Sequence, residues 1–150
     1  MYTTELATCY APTPLKELGV SDDDTDPINI MFAKLAYAPL SAYFEHELAE
    51  HLKNWARSAA AAVLEAAESK IAEVKRPINV FVGGHAVCQN ALLWAIVELI
   101  DEDANTSILT NMALKTQLGE ANAFLVEFAA TDGGPSQLPM CKLIQPTVPA

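Results

Sequence analysis

His85 is the residue best placed to do chemistry. It follows Gly83 and Gly84 at the end of the apolar run Ile78-Asn-Val-Phe-Val82 and precedes the apolar stretch Ala86-Val-Cys-Gln-Asn90. Pro77 closes off whatever lies before the run, and Ile78, Val80, Phe81 and Val82 suit a strand covered on both faces, as in a parallel sheet. The two glycines allow a sharp turn and a close approach of backbone to a ligand. From Ala86 on, Val87, Leu92, Leu93, Ala95, Ile96, Leu99 and Ile100 predict a well-buried helix, whose first free N–H groups would face the imidazole. Such a junction suits an oxyanion, a phosphate or a carboxylate, at Gly84, His85, Ala86 and Val87.

The segment resembles the second catalytic-histidine motif of the histidine phosphatase (phosphoglycerate-mutase-like) superfamily, in which an apolar strand ends in a small-residue turn, then histidine, then a helix. By pattern the resemblance runs from about Ile28 to Phe128; only the His85 turn is specific. It implies phosphate-ester hydrolysis or phosphoryl transfer, with a phosphate cradle of Gly84, His85, Ala86 and Val87 and His85 as the catalytic donor. The family's nucleophile is a histidine in an Arg-His-Gly motif after its first strand, and this sequence contains no such motif. His46 and His51 lie at helical spacing with no strand before them and no glycine after, and the first arginine is Arg57. The expectation is therefore the C-terminal half of the family's domain, either part of a larger enzyme or a degenerate relative, and inactive alone. The alternative is a non-catalytic scaffold, or a subunit of a larger assembly built on the same half-fold.

Composition narrows the partners. With 150 residues and 51% hydrophobic content the chain can bury a core of its own. A formal charge of −10 argues against nucleic acid, whose binding depends on clustered Lys and Arg. A small phosphorylated molecule or phosphate remains compatible, since a few local donors can dominate a pocket. Three cysteines, Cys9, Cys88 and Cys141, are widely spaced and suggest neither a disulfide framework nor a zinc site. No metal or cofactor is expected. No apolar run is long enough to span a bilayer and the first residues lack a signal-peptide pattern, so the expected setting is soluble and intracellular.

The elements that must position His85 are expected as follows. Residues 1–26 form an N-terminal arm and acidic loop, 27–145 a single α/β domain, and 146–150 a tail. Asp26 caps a helix with Pro27 at its first position and Ile28, Met31, Phe32 and Leu35 on one face. The aspartates of residues 21–26 lack the glycine and distal glutamate of an EF-hand and read as loop and cap. Ser41 opens one long helix through Phe44, Leu48, Leu52, Trp55, Ala59, Val63 and Ile71, with Trp55 in the core and Arg57 in solvent; Lys70, Lys75 and Arg76 sit at its C-terminal end. Residues 105–118 are ambiguous between short strands and loop. Alternation around Phe124 and Val126 predicts a strand, and Met140 to Ile144 a last strand beside it. The fold class expected is α/β: a partial three-layer sandwich with a small, mostly parallel sheet flanked by long helices. A sheet so small would leave an apolar edge, which predicts a homo-oligomer or a larger complex.

Overall fold

The computed structural model describes residues 23–75, 86–100, 108–118, 123–127 and 140–144. In chain order they form α1 (Pro27–Leu35), α2 (Leu40–Phe44), α3 (Ala49–Val74), α4 (Ala86–Ile100), α5 (Ile108–Lys115), β1 (Ala123–Glu127) and β2 (Met140–Ile144).

The α/β expectation is overturned. The core of the described residues is helix packed on helix, and the strand pair among them is antiparallel, with Ala123 opposite Ile144 and Glu127 opposite Met140. The parallel three-layer sandwich rested on reading an apolar run followed by an apolar helix as one strand–helix unit. Ile78 to Val82 lies outside the described residues, and α4 owes its apolar character to other helices. An α-helix that is apolar on all sides has to be enclosed on all sides. In α4 every residue from Asn90 to Val97 is buried, with α3 and α5 as its main neighbours. The parallel sheet edge from which an oligomer was expected is not found among the described residues.

Local chemistry accounts for the start of α1. Asp26 stands in extended conformation and its carboxylate accepts a hydrogen bond from the Ile28 N–H at 2.8 Å, with Pro27 in the first turn of α1. Ile28 and Met31 are buried and Phe32 and Leu35 pack against the core, as the sequence pattern predicts. Before the cap, the Asp23 carboxylate accepts from the Thr25 N–H and hydroxyl, both at 2.8 Å, which holds it below the usual carboxylate range. The loop is a capping turn.

The single long helix expected from Ser41 is two helices. After α2 the chain turns through residues 45–48, where His46 Nδ1 accepts from the Leu48 N–H at 3.1 Å and the His46 carbonyl accepts from the Ala49 N–H at 3.0 Å. A side chain that offers the backbone a local partner competes with helix continuation. α3 then runs 26 residues, about 39 Å. Its buried Leu52, Ala56, Ala59 and Ala60 share one core with Ala91, Leu93, Ala95 and Val97 of α4. The alanines are small enough for the two axes to lie close together. Leu99, expected in that core, is 53% exposed instead. Residues 108–115, left between strand and loop by the sequence, form α5, whose Thr110 and Ala113 are buried one turn apart.

Candidate functional site: a neutral cleft at the head of the central helix

Val87 and Asn90 lie three residues apart in the opening turns of α4 and so share one of its faces. Both line a cleft of about 350 Å³, with residues 36–40 on one side and residues 116–118 on the other. Its size falls within the usual range for small-molecule sites.

Asn90 holds the cleft together. It is 2% exposed, and its Nδ2 donates to the carbonyl oxygens of Ala113 (2.7 Å) and Thr116 (2.8 Å). Those carbonyls lie at the C-terminal end of α5, where the helix itself provides no donors. One side chain therefore satisfies two orphan acceptors and ties the head of α4 to the tail of α5.

The opposite wall is the turn between α1 and α2. Ala36 adopts φ 44° and ψ −114°, a conformation that costs a residue with a Cβ on the order of 1–3 kcal/mol. Several bonds hold it there. The Ala36 N–H donates to the Phe32 carbonyl (3.0 Å), the Ala38 N–H to the Leu35 carbonyl (2.9 Å), and the Tyr43 hydroxyl to the Ala36 carbonyl (2.7 Å). Gln117 Nε2 donates to the Tyr37 carbonyl at 3.0 Å, bridging the two walls. Tyr43 is itself buried against Phe32, ring centroids 6.0 Å apart, and burial pushes its phenol up from the ordinary value. Tyr37, which also lines the cleft, is 94% exposed.

Of the four expected site residues, Gly84 and His85 lie outside the described residues. Ala86 is the first residue of α4, and Val87 lines the cleft. His46 occupies the turn between α2 and α3, and His51 is exposed on the first turns of α3; neither lines the cleft. Cys88 is buried, and desolvation pushes its thiol up to about 12, which leaves almost no thiolate at neutral pH. Among the described residues no group of three His, Cys, Asp or Glu side chains is arranged to hold a metal ion, and no helix is long and apolar enough to cross a membrane.

The cations described lie elsewhere. Arg57 grips Glu98 through two bonds, Nε to Oε2 at 2.7 Å and Nη2 to Oε1 at 3.0 Å, and its guanidinium carbon lies 5.0 Å from the centre of the Trp94 ring. The pairing raises the Arg57 pKa and holds the Glu98 carboxyl below its ordinary range. Trp94 meets Phe44 edge-on at 4.8 Å, and Lys53 stands 5.2 Å from the Phe44 ring while pairing with Glu50. Trp55 packs against the core, as expected, but Arg57 is only partly in solvent. Lys70 pairs with Glu73 at 3.0 Å within α3.

Sequence reasoning passed over Asn90 and the Arg57–Glu98 pair. A signal for the first existed: one asparagine inside an otherwise apolar helical run has to find partners if buried. Nothing local links Arg57 to a glutamate 41 positions on. No protein-family model, curated protein or solved structure matches the chain.

Proposed function

We propose that this chain binds phosphate or a small phosphorylated molecule in the cleft at the head of α4, and that alone it turns over little or none of it. The observation that carries this reading is that the cleft is lined by Val87 in the first turn of α4. The first four N–H groups of a helix have no acceptor within it, and that end carries positive potential, so an anion there needs no cationic side chain. His85 directly precedes this turn in the sequence. The resemblance of its glycine–histidine turn to the phosphatase motif is what favours phosphate over other anions.

The absence of the family's Arg-His-Gly motif from the sequence supports the lack of turnover. A phosphoryl-transfer enzyme of the histidine class needs a nucleophile besides the donor histidine. His46 and His51 do not line the cleft, and Cys88 is held as a thiol. Calorimetric titration with inorganic phosphate and a phosphate-release assay on a panel of esters test both halves, comparing the native chain with His85→Ala. The expected result is phosphate binding weakened about tenfold in the variant, with no ester turnover by either protein. Turnover abolished by His85→Ala would reveal a nucleophile and overturn the inactive half. Native protein that binds no phosphate would overturn the whole.

A second reading, a non-catalytic scaffold or a subunit of a homo-oligomer or larger complex, is favoured by Leu99 and Ile108, two large apolar side chains exposed at 53% and 81%. Sedimentation as a monomer at micromolar concentration would remove the oligomer.

A further inference from the structure

We propose that the organic part of the cleft's ligand is an uncharged aromatic ring, as in an aryl phosphate, and that it stacks on Tyr37. This rests on the phosphate reading above and adds what the remainder of the molecule must be.

Three observations converge. First, no acidic or basic side chain is among the described residues lining the cleft, so away from the phosphate at the helix end the ligand meets no charged partner. Second, the amide donors of the wall are already engaged: both hydrogens of Asn90 Nδ2 serve the Ala113 and Thr116 carbonyls, and Gln117 Nε2 serves the Tyr37 carbonyl. A polyhydroxylated ligand such as a sugar phosphate would have to bury hydroxyls against Pro39, Leu40, Val87 and Leu118 with few donors to meet them, which is costly. A flat apolar ring meets no such penalty. Third, Tyr37 borders the cleft with its side chain 94% exposed, on a turn whose backbone is fixed at Ala36, Tyr37 and Ala38. An aromatic side chain on a rigid backbone loses little freedom when a second ring stacks on it, and such contacts favour binding by about fivefold or more.

The test titrates inorganic phosphate, phenyl phosphate, glucose 6-phosphate and phenol against the native chain, Tyr37→Phe and Tyr37→Ala. Because the side chain is so exposed, neither substitution disturbs packing. Phenyl phosphate is expected to bind at least fivefold tighter than inorganic phosphate or glucose 6-phosphate in the native chain and in Tyr37→Phe. In Tyr37→Ala that advantage disappears while the affinity for inorganic phosphate stays unchanged. Phenyl phosphate binding no tighter than inorganic phosphate, or a preference that survives Tyr37→Ala, overturns the proposal and leaves the phosphate reading standing. Phenol binding as tightly as phenyl phosphate, with inorganic phosphate not binding at all, overturns the phosphate reading and leaves the ring platform standing.

Discussion

At the C-terminal end of α4, Glu98 clasps Arg57 and Trp94 carries the guanidinium on its face, whereas at the N-terminal end Val87 and Asn90 look onto a cleft with no charged side chain among its described residues. Both ends join α4 to a neighbouring helix, but by different means. The clasp joins α3 and α4 through the doubly bonded side chains of Arg57 and Glu98. The cleft end joins α4 to α5 through Asn90 and two backbone carbonyls, and leaves a void in front of them. A helix bundle can thus hold its central member by a few hydrogen bonds and still keep an opening beside them.

Removing the aromatic centre of the clasp should have the largest effect. Trp94 is 6% exposed and touches both Phe44 and Arg57, so Trp94→Ala is expected to cost about 4 kcal/mol, measured as a shift in the urea midpoint. A loss below about 1 kcal/mol would mean that the clasp end is not packed as described. Asn90→Ala should cost about 2 kcal/mol, because two buried carbonyls lose their donor, and it should also weaken phosphate binding by loosening the cleft. If Asn90→Ala left stability untouched, the contrast between the two ends would dissolve. Glu98→Gln should have the smallest effect, under about 1 kcal/mol, since the partners are 41% and 36% exposed.

The pH dependence of that last variant sharpens the comparison. Arg57 holds the Glu98 carboxyl below its ordinary 4.5, so the folded state binds that proton less readily than the unfolded chain. The pair's contribution is therefore complete above about pH 4.5 and is lost as the pH falls through the lowered value. Native protein minus Glu98→Gln should show a small stability difference at neutral pH that vanishes in acid. A difference that grows in acid would have the wrong sign for this pairing.

What could be read from the sequence was what neighbouring residues decide among themselves. The Asp26–Pro27 start of α1 depends on a bond two residues long, and the alternation around Phe124 and Val126 carries β1 wherever the strand is placed. The break between α2 and α3 was not legible, because an apolar stripe crosses it unbroken while the choice is made by the His46 side chain. α5 contains Thr110 and Asn111, which are indifferent helix formers, and owes its existence to packing against α4. The largest error, the parallel sheet, came from α4 itself: local periodicity cannot tell a helix packed on a sheet from one packed among helices. The start of α4 at Ala86 could be located in advance, but the turn across the cleft from it could not. That turn depends on Tyr43 and Gln117 meeting carbonyls 7 and 80 positions away, and the α5 side of the cleft on Asn90 meeting a carbonyl 23 positions away.

Cys88 follows Val87 in the chain but is buried where Val87 meets the cleft, and its protonated state has a practical corollary. A thiol that ionises only near pH 12 and is shielded from reagents reacts only in the instants when α4 lifts away from its neighbours. In a background without Cys9 and Cys141, its alkylation rate becomes a clock for the breathing of the central helix. A ligand lodged at the head of that helix would slow the clock without ever touching the sulfur.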